Sequence, residues 1–194
     1  MNARRVSRDP AHFQRLYDAD PDPWRFRTSE YEQEKYRKTV QILGMRRFHS
    51  AFEVGCSIGV MTRLLAPRCN NLLAVDIVEQ PLRTAQAACA DQPWVRFRRM
   101  QVPNEWPDEV LDLIVLSEVL YFLSPADIAA VADRTSSCLK SQGVVLLVNW
   151  RGTSDDPCTG EEAATIFIRR ARCWLAERLH QQNDGYRVDL LCRR

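Results

Sequence analysis

No apolar run in the 194-residue chain approaches the roughly 20 residues that a membrane-spanning helix requires, so no membrane partner is expected. No CxxC pair occurs among the seven cysteines, at 56, 69, 89, 138, 158, 173 and 192, and the three histidines, His12, His49 and His180, stand far apart. Neither residue type shows metal-ligand spacing, so no metal is expected. An odd number of scattered cysteines fits reduced thiols in the cytoplasm, not a disulfide framework. Neither sign of charge is in large excess: 27 Lys+Arg against 25 Asp+Glu leave a net +2, too little to argue for nucleic acid. The basic clusters are short (Arg96, Arg98 and Arg99; Arg169, Arg170 and Arg172; Arg193 and Arg194) and read as solvated faces or strand ends. No repeat or low-complexity segment is visible. The N-terminal MNARRVSRDPAHF has basic residues but no apolar core behind them. It reads as a partly ordered arm, not a signal peptide.

What is there is an alternation of short apolar runs with helical stretches, the mark of a parallel sheet wrapped by helices. Residues 30–44 form an amphipathic helix, with Tyr36, Val40 and Leu43 at helical spacing and Gly44 as its stop. Strands are expected at 51–54, 72–76, 94–98, 111–116 and in the VVLLVNW that follows Gly143. The run LDLIVL is apolar throughout, as a strand covered on both faces should be. Helices are expected at 59–66, 80–90, 125–139 and from Gly160 to about Arg170. An Asn-Asp-Gly turn at 183–185 lies between two alternating runs, so the chain ends in an antiparallel hairpin. The expected fold is a Rossmann-like, seven-stranded, mostly parallel α/β sheet with a C-terminal β-hairpin and helices on both faces. It forms a single domain, 1–194, in which 1–45 is an arm and helix able to act as a lid and 46–194 is the core.

The sharpest local signal is Glu53-Val-Gly55-Cys56-Ser57-Ile-Gly59, directly after a strand and directly before a helix. Glycines there let the backbone turn tightly and bring amides close to a ligand. A dinucleotide fold spaces its glycines GxGxxG to seat a pyrophosphate. The GxxxG spacing here, behind an acidic strand end, suits a smaller ligand carrying an ammonium and a carboxylate, such as the methionine part of S-adenosylmethionine. Asp76 ends the second strand 21 residues after Gly55. A carboxylate there can accept two hydrogen bonds from a ribose diol, and Ile77 beside it can pack on an adenine face. Each piece has a plainer reading, a tight turn for the glycines and a helix cap for Asp76, but their order is rarer by chance.

EVGCSIG, LLAVD and LIVLSEVLYFL resemble class I S-adenosylmethionine-dependent methyltransferases over about residues 50–150. Ser57 stands where that family often has a middle glycine, and Gln101, with Val102 next to it, stands where an acidic side chain usually meets the adenine. The resemblance therefore implies S-adenosyl-L-methionine as cofactor. It places Glu53, Gly55, Cys56, Ser57, Gly59, Asp76, Ile77, Gln101, Val102 and Ser117 on the cofactor side. The Asn/Asp-Pro-Pro-Tyr/Phe signature of methyltransferases acting on base amino groups and glutamine is absent. At the end of the fourth strand, Glu118 can orient or deprotonate an amine and Tyr121 can stack on or hydrogen-bond the acceptor. The plainer reading makes Glu118 a cap and its apolar neighbours core.

DPWRF at 22–26 and YEQEKY at 31–36 resemble the N-terminal region of the nodulation protein S group, which N-methylates the amine of a deacetylated chitin oligosaccharide. That resemblance, weaker further on, reaches the helix after TGEE at 159–162. Where several members have a histidine before that helix, this chain has Asp155-Asp156-Pro157-Cys158. Trp24 and Tyr31 are assigned to the cofactor side on the same ground. The aromatics Trp24, Phe26, Tyr31 and Tyr36 serve either a sugar ring or the packing of the first helix. The resemblance implies a small-molecule or oligosaccharide acceptor, an amino-sugar amine first, without nucleic acid. Methylation at oxygen or carbon, or a non-catalytic S-adenosylmethionine-binding protein, are the alternatives, and oligomeric state is not legible.

Overall fold

The computed structural model describes residues 5–194. Its strands follow the order β3-β2-β1-β4-β5-β7-β6 in a seven-stranded sheet. The chain divides into two compact units: Asp9–Gln101, and Val102–Arg194 together with the residues up to Arg8.

The first unit opens on a helix, α1 (Pro10–Ala19), where the sequence reads as an arm. Residues 1–4 of that arm lie outside the described residues. Helix α1 forms because the Asp9 side chain accepts from the His12 amide, Pro10 presets the first helical φ, and Phe13 and Tyr17, four residues apart, are buried together. Helix α2 (Glu30–Ile42), capped by Ser29, buries Lys35, Tyr36, Thr39 and Val40. There follow β1 (Phe48–Val54), α3 (Val60–Leu65), β2 (Cys69–Asp76), α4 (Glu79–Ala88) and β3 (Val95–Arg99). Strand β2 lies between β1 and β3 and is parallel to both. Pro67 sits in a short 3-10 turn, Ala66–Arg68, that ends α3 earlier than expected. Strand β3 stands first in the sheet order, paired with β2, and Arg96, Arg98 and Arg99 are exposed along it. Charges on an edge oppose further strand pairing.

The second unit holds β4 (Leu111–Ser117), α5 (Pro125–Cys138), β5 (Leu139–Trp150), α6 (Gly160–Ala171), β6 (Leu175–Gln182) and β7 (Tyr186–Arg193). Strand β4 is parallel to β5, while β7 is antiparallel to both β5 and β6. The expected hairpin closes as predicted: Asn183 Oδ1 accepts from the amides of Gly185 and Tyr186 at 2.8 and 2.9 Å. Strand β5 begins earlier than Val144, because Leu139 already pairs with Leu111 before the register shifts. Thr159 and Glu162 form a capping box at the start of α6, whose Phe167 is fully buried. Residues 5–8 run as a strap over this unit. The Arg8 amide donates to Phe122 O, the Arg8 guanidinium pairs with Asp156 at 2.9 Å, and the Ser7 hydroxyl bonds Asp127. No described helix is long and apolar enough to cross a membrane.

The deepest charge in this unit is Asp189 on β7, fully buried opposite Leu147. Arg187 grips it through Nε and Nη2 at 2.7 and 2.9 Å, and His180 Nδ1 lies 2.7 Å from Oδ1. Glu177 completes a group whose ligand atoms lie within 4.8 Å of one another, but the guanidinium already occupies both Asp189 oxygens. Removing one partner of a buried ion pair leaves the other uncompensated. Arg187→Met should therefore lower stability by about 3–5 kcal/mol, read as a lower urea midpoint at unchanged slope. A loss under 1 kcal/mol would show that His180 alone holds the carboxylate.

Candidate active site

In the first unit the chain leaves β1 at Val54 and curls sharply. Gly55, Ser57 and Gly59 take φ of +78°, +48° and +82°. The amides of Gly55 and Cys56 both donate to Val75 O, at 2.8 and 3.0 Å. Gly59 answers two demands: the left-handed φ, and space, since a Cβ there would come within 2.9 Å of Ala85 Cα on α4. Ser57, as a non-glycine at positive φ, is strained by on the order of 1 kcal/mol. What holds it is Asp76, whose Oδ2 accepts the Ser57 amide at 3.0 Å while Oδ1 accepts the Val78 amide at 3.0 Å.

Tyr17, which the sequence reading does not single out, completes this arrangement. Its hydroxyl donates to Ser57 Oγ at 2.6 Å, and its carbonyl accepts from Gln80 on α4 at 3.0 Å. Burial, then the nearby Asp76 carboxylate, push its pKa up, which keeps the phenol protonated as a donor. The only sequence signal for it is the Phe13–Tyr17 spacing behind Asp9-Pro10.

The acids at the strand ends are desolvated. Burial raises the Asp76 carboxyl to about 6, against the lowering effect of the Val78, Ser57 and Ile77 amides. Burial raises Glu53 to about 7, with Thr62 acting the other way. Among the described residues, Glu53 Oε2 is buried without a hydrogen-bond partner. Between these acids the Cys56 thiol is pushed up by burial and by both carboxylates. An orphaned buried carboxylate oxygen and a buried acid holding two amides suit a ligand that brings donors, an ammonium or a diol.

Ile77 is half-buried directly after Asp76, and Gln101 is half-buried after Met100, whose amide donates to Asp76 O at 2.9 Å. Trp24 stacks on Phe26 (centroids 5.6 Å, 20°) and meets Tyr17 edge-on, while Phe26 touches Tyr36 at 5.6 Å. Three of the four N-terminal aromatics thus pack on one another. Tyr31 is 48% exposed, with the Lys35 ammonium over its ring.

In the second unit Val102 is half-buried, and Ser117 ends β4 with its hydroxyl buried and, among the described residues, without a hydrogen-bond partner. Glu118 follows at φ +58°, again a non-glycine in the left-handed region. Its amide donates to Val148 O at 2.8 Å. Its Oε2 accepts from Tyr121 Oη at 2.9 Å and from the Trp150 amide at 3.0 Å. The structure thus joins Glu118 and Tyr121 directly, through an unforeseen 3-10 turn, Leu120–Phe122. Strained backbone of this kind collects at functional sites. Asp156 is committed elsewhere, paired with Arg8 and Ser154.

The fold is that of S-adenosylmethionine-dependent methyltransferases. It matches the crystal structure of N-methyltransferase NodS from Bradyrhizobium japonicum in complex with S-adenosyl-L-homocysteine, with a TM-score of 0.81 at 21% identity over 94% of this chain and 97% of that one. The model of the Nodulation protein S (NodS) family matches residues 11–153, and the chain belongs to that family. Nodulation protein S of Rhizobium tropici is 32% identical over 183 residues, 89% of this chain and 74% of that protein. Nodulation protein S of Bradyrhizobium diazoefficiens is 37% identical over 106 residues; that match spans 53% of this chain and about half, 49%, of the relative's length.

Both buried acids bind their protons more tightly folded than unfolded, where 3.8 and 4.5 are their ordinary values. Folding therefore takes up protons, and this contribution is present below those values and lost as pH rises through about 6 and 7. Glu53→Gln, which cannot ionise, should stabilise the ligand-free chain at pH 8 by on the order of 2–3 kcal/mol and change it little at pH 4. Urea unfolding of both proteins across that range checks this; parallel pH profiles would show that Glu53 is not the group responsible.

Proposed function

We propose that the chain is an S-adenosylmethionine-dependent N-methyltransferase acting on an amine of a small polar acceptor, with an amino sugar or its oligomer as the first candidate. The observation that carries the reading is the buried Asp76, set between the Ser57 and Val78 amides beside a turn of three left-handed residues. Family membership supports it, since the matched Bradyrhizobium japonicum protein is an N-methyltransferase crystallised with S-adenosyl-L-homocysteine.

On this reading Asp76 accepts the ribose diol and Glu53, with the amides of the 55–59 turn, meets the amino-acid end. Ile77 and Gln101 serve the adenine. Val102, Ser117, Trp24 and Tyr31 are proposed on the cofactor side as well, and the segment up to residue 45 is the proposed cover. Bound S-adenosylmethionine supplies an activated methyl group. The chain's task is then alignment and the handling of one proton. An amine must be neutral to attack and must shed a proton afterwards. Glu118 is the proposed receiver, held by the Tyr121 hydroxyl and the Trp150 amide. The cytoplasm is the proposed compartment.

Calorimetry should detect both S-adenosylmethionine and S-adenosylhomocysteine. Asp76→Ala should weaken each by about 1–3 kcal/mol, the size of a lost charge-assisted hydrogen bond. A wild-type chain that binds neither ligand sinks the reading.

Glu118→Gln should lower kcat for an amine acceptor by roughly 10²–10⁴, the range of general-base catalysis, with cofactor affinity within about twofold. The wild-type rate should climb with pH through the pKa of the bound amine and then level. Glucosamine oligomers and a panel of hydroxyl acceptors, assayed in parallel, check the acceptor atom; transfer to hydroxyls alone would leave a methyltransferase but remove the amine.

A further inference from the structure

Trp150, the last residue of β5, is 37% exposed, although a tryptophan gains most from burying its ring. It is nevertheless framed from several sides. Its amide donates to Glu118 Oε2 at 3.0 Å. Across the sheet it pairs with Tyr186. A Cβ on Gly160, the first residue of α6, would come within 1.9 Å of Trp150 O. A Cβ on Gly152 would come within 1.8 Å of Cζ2 and 2.3 Å of Cε2 of the indole. Gly152 and Gly160 do not have left-handed φ values, so space is what demands glycine. Two of the chain's seven glycines thus make room for one exposed residue. Gly152 alone meets the ring, while the other contacts fix the backbone that carries it. Fixing the ring makes a preorganised flat contact, which spares ordering entropy on binding.

We infer that Trp150 is the shelf for the acceptor's ring and sets specificity for a cyclic amine with an apolar C–H face and a polar edge. The indole offers the flat face, and the carboxylate hydrogen-bonded to its own backbone meets the amine at the ring's edge. Sites for such molecules combine an aromatic surface with a few fixed polar groups. This rests on the proposed function, to whose first acceptor candidate it adds the residue that would select the ring.

The experiment compares wild type, Trp150→Phe and Trp150→Ala on a glucosamine tetramer and on open-chain ethanolamine. Sugar binding is also measured by calorimetry without turnover. The expected result for Trp150→Ala is a KM for the tetramer raised about tenfold or more, kcat within about threefold, and ethanolamine KM unchanged. Trp150→Phe should recover most of the loss, and tetramer affinity in calorimetry should fall in step. Tetramer KM and affinity within twofold of wild type would overturn the inference. So would an equal rise for both amines, which marks a merely structural role. A wild type that methylates ethanolamine but binds no tetramer also overturns it and leaves N-methylation standing. If no amine is methylated, the proposed function fails while calorimetry still decides whether Trp150 holds a sugar.

Discussion

The first unit depends on one carboxylate that fastens three pieces of backbone at once. Asp76 ends β2, its Oδ2 holds the strained Ser57 of the glycine turn, and its Oδ1 holds Val78 at the entry to α4. Hydrogen bonds to a charged acceptor are about twice as strong as neutral ones, and burial leaves no water to compete. Ser57 then passes the constraint to α1 through the Tyr17 hydroxyl. Strand end, turn and two helices are therefore fixed relative to one acid, which no apolar side chain at position 76 could do.

The second unit uses the same device at the end of β4. Glu118 sits in the left-handed region and reaches the Trp150 amide at the end of β5, so the carboxylate joins two adjacent strand ends where the sheet ladder has run out. Tyr121 donates to the same oxygen. In both units a non-glycine residue holds positive φ next to an acid–amide bond, at Ser57 beside Asp76 and at Glu118 itself. Such backbone persists only where its surroundings over-determine it, and here the bonds that do so are visible.

The strands were legible because β1, β2, β4 and β5 are covered and so write themselves as apolar runs. Their starts were less so: β1 opens with buried Phe48 between a basic stretch and exposed His49, which hides its pairing with Cys69. Helix α1 was missed because only Phe13 and Tyr17 are buried in it, too few to set a period. The glycine turn, Asp76 and the Glu118–Tyr121 pair could be located from their place at strand ends. Tyr17 could not, since its bond to Ser57 spans 40 residues and nothing local announces it. The aromatics show the same limit. Trp24, Phe26 and Tyr36 look available in sequence but contact one another, whereas Trp150 looks like the tail of a core strand and is exposed.

Buried acids at Glu53 and Asp76 place the energetic cost of the proposed site in the unit that would bind the cofactor. A desolvated carboxyl with an orphaned oxygen is unfavourable until a donor arrives, so the ligand-free unit is less stable than its apolar core alone would make it. A ligand bringing an ammonium and a diol would satisfy the same atoms that burial leaves wanting, and would favour their charged forms. Binding and folding are then coupled: whatever binds only the folded chain stabilises it by mass action. Ser57 connects Asp76 to Tyr17, and the Tyr17 carbonyl also accepts from Gln80 on α4, so α1 is tied to the same unit twice. On the proposed function, a ligand held by the turn would stabilise α1 together with the rest of its unit.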